Sequence, residues 1–339
     1  MLATRQKVLR RFWYPVMPAA LLDDGPRKFV LLGENIVLWR DQFGAPACVA
    51  NRCCHRTAEL SVGFVEDGNI VCGYHGWTFD PTGRCVRIPQ KLETAAADRI
   101  TIPGFRADER YGHIWVALEA PLAPIPDIPE AARPEFRRVD QFYEEWKIGA
   151  FRLMENSFDA AHVAFTHRNT FGDVNNPVPS KSEMIENDWG FVRRMETPVR
   201  NPASGRKALG IEGDRTVRRT ESDWFMPFCR RAAISYPNGL THTIFTAATP
   251  MTDDRTMVVQ FCYRNDAEAD TPAAEVVAWD RRITLEDQFI LEGTEPDVPL
   301  AVHDGEEMHM HTDRPGVLMR KKLRALFAAH GETEVRAAS

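Results

Sequence analysis

The 339-residue chain contains no run of eighteen apolar residues, so no segment of it is long and apolar enough to span a bilayer as a helix. It also has no basic excess. The formal net charge is −6, which leaves no positive field to track a phosphate backbone and argues against a nucleic-acid partner. No glycine-rich turn links a strand to a helix: the stretch from Gly205 to Gly213 has neither neighbour, so no nucleotide fingerprint is present. Seven cysteines are an odd set, and three of them crowd around histidines, which argues against a secreted disulfide framework and for a reduced, cytoplasmic metalloprotein. Arg10-Arg11 ahead of Phe12 to Leu22 has the outline of an export signal. Pro15 and Pro18 interrupt that stretch, and Asp23-Asp24 close it without a cleavage site, so Phe12 to Val16 reads as a first strand. There is no internal repeat and no low-complexity tract.

Short apolar runs separated by turns are abundant. Residues 29 to 120 alternate in this way, with Asp80-Pro81-Thr82-Gly83 as a hairpin-type turn, and predict an all-β module. Five prolines between Pro121 and Pro134 predict a connection, which places one domain at residues 1–122 and a second at 123–339. In the second, strands are expected at 190–196, 216–228, 232–236, 240–248 and 257–263, with Phe225, Phe228, Phe245 and Phe261 filling the buried face of an antiparallel sheet. Helical spacing of Val276, Val277, Trp279, Ile283, Phe289 and Ile290 predicts a long helix from Ala273 to about Leu291 packed on that sheet, and Arg320 to Ala329 a shorter one. Residues 172–182 and 201–214 read as polar loops. The fold class is α+β.

Two clusters carry chemistry. Cys53-Cys54-His55 and Cys72-Gly73-Tyr74-His75 give Cys-x-His, sixteen residues, then Cys-x-x-His. Two thiolates and two imidazoles on two loops match a Rieske [2Fe–2S] centre, the alternative being a structural zinc site. Cys54 is a conceivable competitor, but adjacent Cys54 and His55 cannot reach separate irons, so Cys53 takes the role. The second cluster is Glu155-Asn156-Ser157-Phe158-Asp159-Ala160-Ala161-His162-Val163-Ala164-Phe165-Thr166-His167. Imidazole and carboxylate are the ligands of a non-haem ferrous iron with open positions. Asp159 and His162 share a helix face, whereas His162 and His167 lie roughly 140° apart on an ideal helix. Both can reach one metal only if a helix starting near Phe151 breaks, expected near Phe165 or Thr166. By itself the stretch is equally compatible with a buried helix carrying two satisfied histidines.

With Gly76-Trp77 and Phe79 following, the first cluster closely resembles the Rieske family, although Cys54 stands where that family commonly has proline. The two clusters together resemble the Rieske non-haem iron oxygenases from about Phe12 to Ala325, the second through Asn-x-x-Asp-x-x-His-x-x-x-x-His. The resemblance implies an N-terminal Rieske domain and a C-terminal helix-grip domain, with [2Fe–2S] ligands Cys53, His55, Cys72 and His75. It implies mononuclear Fe(II) ligands His162, His167 and Asp287, with Glu286 and Glu292 as alternatives to Asp287. Asn156 and Asp159 would be catalytic. Asp159 would link His75 of one subunit to His162 of the next in a head-to-tail homotrimer, the plainer reading being a helix N-terminal acid.

The lack of a nicotinamide or flavin site implies electrons from NAD(P)H through a separate reductase, with or without a ferredoxin. Tyr111 to Val116, Phe151 to Asn156 and Phe171 to Asn176 resemble the single-subunit branch that includes the caffeine N-demethylases, saxitoxin-tailoring hydroxylases and vanillate O-demethylase and, more distantly, carbazole dioxygenase. That implies O2-dependent hydroxylation or N-/O-demethylation of a small aromatic or heterocyclic substrate, with cis-dihydroxylation and pure electron transfer as alternatives. Phe158, Phe165, Phe228, His242 and Phe289 are the expected pocket residues. His303, His309 and His311 read as a solvated loop.

Overall fold

The computed structural model describes residues 1–90, 99–303 and 305–337. Two compact units are present: Lys7–Ile125, and Pro126–Ser339 together with Met1–Gln6.

The Lys7–Ile125 unit is built from β1 (Tyr14–Pro18), β2 (Arg27–Leu31), β3 (Glu34–Arg40), β4 (Pro46–Ala50), β5 (Phe64–Glu66), β6 (Asn69–Val71), β7 (Thr78–Phe79), β8 (Cys85–Arg87), β9 (Gly104–Arg110) and β10 (His113–Ala117). Six strands pair antiparallel in the order β1-β10-β9-β4-β3-β2, and four in the order β5-β6-β7-β8. The apolar runs bury Trp39 and Trp115 completely. One buried cluster joins Trp39, Leu60, Ile70 and Phe79 to Cys53 and Cys72, so both thiols are anchored in the core. The turn at Asp80 is held by its own carboxylate, whose Oδ1 accepts from the N–H groups of Thr82 (2.9 Å) and Arg84 (3.1 Å).

The larger unit contains β11 (Arg137–Trp146), α1 (Ala150–Asn156), α2 (Val163–Thr166), β12 (Ser182–Asn187), β13 (Gly190–Arg200), α3 (Ala203–Leu209), β14 (Arg215–Phe225), β15 (Cys229–Ser235), β16 (Thr241–Pro250), β17 (Thr256–Arg264), α4 (Ala273–Leu291) and α5 (Arg314–Ala329). Its seven strands form one antiparallel sheet in the order β11-β17-β16-β15-β14-β13-β12. The long helix α4 packs against β11. Phe228, Phe245 and Phe261 are fully buried, and Phe245 stacks on Phe261 with centroids 5.0 Å apart.

Two strands escape the sequence pattern. Charges crowd β11 (Arg137, Arg138, Asp140, Glu144, Glu145), yet Val139, Phe142 and Trp146 are buried at wide intervals. Strand β12 is an edge strand with almost every side chain in solvent, so it has no apolar alternation to read. Helix α3 lies inside the stretch expected to be a polar loop, and α5 begins six residues earlier than expected.

One buried charge holds the C-terminal helix to the site. Arg320, only 1% exposed, donates from Nε to Glu155 Oε1 (2.7 Å), from Nη2 to Glu155 Oε2 (2.9 Å) and from Nη1 to the Pro299 carbonyl (2.6 Å). Glu155 is the residue before Asn156 on α1. Arg320→Ala leaves that carboxylate without its main cation and is expected to cost about 3–5 kcal/mol in urea denaturation. Removing the exposed pair Arg219–Glu196 is expected to change stability by less than about 1 kcal/mol in the same measurement.

Candidate metal centre

Helix α1 stops at Asn156 because the next polar side chains compete for the backbone. Ser157 Oγ donates to the Leu153 carbonyl (3.0 Å), and Asp159 Oδ1 accepts from the Ala161 N–H (2.7 Å). The chain re-enters helix only for the four residues of α2, with His162 just before it and His167 just after. Helix α2 ends at Thr166 with His167 on the exit (φ −94°, ψ 22°), where the spacing of the histidines predicts the break, and this lets the two imidazoles converge. The interruption between Asn156 and α2 is an additional break that the spacing does not predict. Gly172 closes the following turn. A Cβ there would lie 2.2 Å from the Val163 carbonyl oxygen and 3.0 Å from that of His167, so only glycine fits.

These bends bring three ligand atoms together. His162 Nε2 and His167 Nε2 are 3.3 Å apart, and Asp287 Oδ1, from α4, is 3.5 Å from the first and 3.4 Å from the second. Donors bound at about 2.1 Å to one ion and roughly 90–110° apart stand about 3.0–3.4 Å from each other. The spacing and the donor types thus fit a single ion.

Around the triad stand its supports. His167 is buried, and its Nδ1 lies 3.0 Å from Glu286 Oε2, which also accepts from Thr170 Oγ1 (2.7 Å). Asn156 Nδ2 donates to Asp287 Oδ1 (3.2 Å). Asp159 Oδ2 is 3.5 Å from His162 Nδ1, too long for a hydrogen bond, and that buried nitrogen has no hydrogen-bond partner. Burial pushes the Asp287 carboxyl up in pKa, but His167, His162 and Asn156 more than offset this and hold it ionised. Burial likewise opposes charge on His167, and Asp287 and Glu286 outweigh it.

The triad opens into a cavity of about 210 Å³ between the sheet and the helices. Engineered cavities of about 150 Å³ hold benzene, so the space suits one substituted ring. Of the expected pocket residues, His242 lines this cavity, and four aromatic ones do not. Phe289 is 83% exposed, because it stands two residues, about 200°, around α4 from Asp287. Phe165 is 56% exposed for a similar reason relative to His167. Phe228 is sealed in the core, and Phe158 lies behind the wall beneath Arg193 and Arg230. Polar groups take their place. His242 Nε2 is 3.1 Å from Asp280 Oδ2, Gln141 donates to that same oxygen, and a chain continues through Gln260 to Thr246. Cys262 also lies within 4.8 Å of the ligand atoms of His242 and Asp280, but burial pushes its thiol far above the ordinary value, which makes it a poor metal ligand.

In the smaller unit, Cys53 and Cys72 are buried while Cys54 is exposed. The His55 and His75 rings lie 4.5 Å apart, with Trp77 stacked on His55 at 4.6 Å. Buried thiols beneath two adjacent surface imidazoles are a donor set suited to a cluster with sulfur ligands inside and histidines at the rim.

Residues 12–99 match the Rieske [2Fe-2S] domain, and residues 149–329 match the vanillate O-demethylase oxygenase C-terminal domain. The methylxanthine N1-demethylase NdmA of Pseudomonas putida is 28% identical, over 96% of this chain and 92% of that protein. The methylxanthine N3-demethylase NdmB of the same species is 28% identical, over 97% and 93%. The solved structure of NdmA of Pseudomonas putida CBB5 with caffeine superposes with a TM-score of 0.83 at 27% identity, over 97% of this chain and 94% of that one. A Rieske module followed by a catalytic half of the vanillate O-demethylase type, in an oxygenase-like fold along nearly the whole chain, makes this protein a member of the Rieske oxygenases.

Proposed function

We propose that the chain is the terminal oxygenase of a multicomponent system that hydroxylates, or N- or O-demethylates, a small aromatic or heterocyclic substrate. The observation that supports it most is the convergence of His162, His167 and Asp287 within 3.5 Å at the end of a one-ring cavity. In this reading Cys53, His55, Cys72 and His75 hold the [2Fe–2S] cluster in a domain spanning residues 1–122. The triad holds Fe(II) in a domain spanning 123–339. When bound, these groups supply electron storage and oxygen activation. The relatives with whole-length similarity are named for N-demethylation of methylxanthines. The lack of a nucleotide fingerprint favours a separate reductase as the source of electrons from NAD(P)H.

The chain's own residues do the positioning. Glu286 and Thr170 fix His167 through its Nδ1, the kind of support that sets ring orientation and tautomer. Asn156 holds the Asp287 oxygen. The sheet and α4 wall the space in front of the triad.

Asp159 would carry the electron path to His162 from His75 of a neighbouring copy in a head-to-tail trimer. Exposed apolar side chains suit such packing: Val62, Phe64 and Tyr74 in the smaller unit, and Phe165, Phe289 and Ile290 in the larger.

Three measurements test the reading. Supplied with a surrogate reductase and a panel of methylated and unmethylated aromatics, the protein is expected to consume O2 and release formaldehyde from a methylated member. A cis-diol as the product would make it a ring dioxygenase instead. Asp287→Ala is expected to lower the iron content from three to two atoms per chain with the visible cluster spectrum unchanged. Loss of the cluster signal as well would sink the ligand assignment. Asp159→Asn is expected to keep all three irons yet lose most turnover, and full turnover would remove the bridging role.

A further inference from the structure

Three neighbouring strands of the large sheet each carry an Arg-Arg pair: Arg193-Arg194 on β13, Arg218-Arg219 on β14 and Arg230-Arg231 on β15. Side chains alternate between the faces of a strand, so each pair sends one guanidinium to each side. Those on the outer face are matched with acids. Arg194 pairs with Glu221 (2.8 Å), Arg219 with Glu196 (2.8 Å), and Arg231 with Asp223 (2.6 Å) and Glu130 (2.9 Å). Those on the inner face line the cavity, and among the described residues none of them forms an ion pair with a carboxylate.

Their situation differs from that of the Asp280–His242 network on the same cavity wall, where the acid is met by Gln141 and His242. Arg193, 5% exposed, donates one N–H to the Phe158 carbonyl, and its Nε has no partner. Arg218 lies over the Phe171 ring at 4.4 Å, also with an unpartnered Nε. Arg230 lies 5.6 Å over the Phe158 ring, and among the described residues its guanidinium makes no hydrogen bond. Asp159 and Asp287 exert the nearest acidic fields, and both are turned to the histidines. Burial pushes Arg230 down to about 9 and Arg193 to about 10, so both remain cations at neutral pH. Buried guanidinium groups without anions are costly, and their five-donor forks match the geometry of a carboxylate or sulfonate.

We propose that the substrate is an organic anion, a single aromatic ring bearing a carboxylate or sulfonate that Arg230 binds directly and that Arg193 and Arg218 hold by charge. This rests on the oxygenase reading and narrows it. The arginines stand on the sheet and the iron ligands on helical segments, around one cavity. An oxyanion on the sheet side leaves the rest of the ring in the space that the ligand triad also lines. The polar chain from His242 to Thr246 then offers hydrogen bonds to a further substituent.

The test is calorimetric titration of the iron-loaded protein at fixed ionic strength with two matched pairs, benzoate against benzamide and benzenesulfonate against benzenesulfonamide. At least one acid is expected to bind about tenfold or more tightly than its neutral partner. Arg230→Gln is expected to erase that preference while leaving the amide affinity unchanged, and Arg230→Lys to keep part of it, each with an unaltered cluster spectrum as the check on folding. His162→Ala, which removes an iron ligand without changing the arginines, is expected to retain the preference. Its loss in that variant would mean that the acids bind the iron alone, and the proposal would fall. Equal affinities within both pairs, or a preference that survives Arg230→Gln, would also overturn it. If the acids do not bind while a neutral methylated aromatic still releases formaldehyde, the anion fails and the oxygenase reading stands. If the acids bind with the Arg230-dependent preference but no member of the aromatic panel supports oxygen uptake, the anion site stands and the oxygenase reading fails.

Discussion

Two imidazoles five residues apart in sequence can meet at one point only if the helix that joins them ends before it carries the second one round. Most of the site follows from that constraint. Ser157 and Asp159 turn the chain with short polar side chains, the four-residue α2 carries it onward, and His167 sits on the exit. Gly172 closes so tightly behind His167 that a single methyl group would collide with two carbonyls. The third donor then has to come from elsewhere, and α4 supplies it as Asp287. A helix of nineteen residues packed on a sheet is a stiff mount, so the fine positioning falls to the irregular segment.

The same economy governs the polar groups around the triad. Each member of the triad has a carboxylate or amide near it: Glu286 on His167, Asn156 on Asp287, Asp159 beside His162. The first two are within hydrogen-bond reach and immobilise their partners. The third stands off at 3.5 Å and leaves a buried nitrogen unsatisfied. The triad is thus braced firmly at His167 and Asp287 and loosely at His162.

Much of this is legible in the sequence, for identifiable reasons. The Cys/His spacings sit in loops whose chemistry tolerates few alternatives, and α4 shows helical periodicity over five turns, so its ends coincide with the expected Ala273 and Leu291. Strand β12 is not legible because an edge strand with both faces wet has no alternation, and β11 because its charges mask its buried positions. Aromatic residues close to the ligands in sequence are a poor guide to the cavity lining. Phe165 and Phe289 lie two residues from His167 and Asp287 and so face away from them, while Phe228 is buried in the core. Glu286 is a rival ligand by position alone, and its bond to His167 depends on a side-chain direction that spacing does not give. The inward arginines have the pattern of ordinary strand charges, and only the strand register tells which member of each pair turns inside.

That register separates two properties usually discussed together. The outer arginines are neutralised locally, Arg194 and Arg219 at the surface of a chain whose net charge is −6 and Arg231 in a buried pair with Glu130. The inner ones turn toward the cavity of about 210 Å³ and add positive charge there. Isoelectric point, ion-exchange behaviour and solubility therefore report on one face of the sheet, and ligand charge preference on the other. Because adjacent residues serve the two faces, the surface charge of this protein can be rewritten at Arg194 and Arg219 while the electrostatics of the chamber are left as they are.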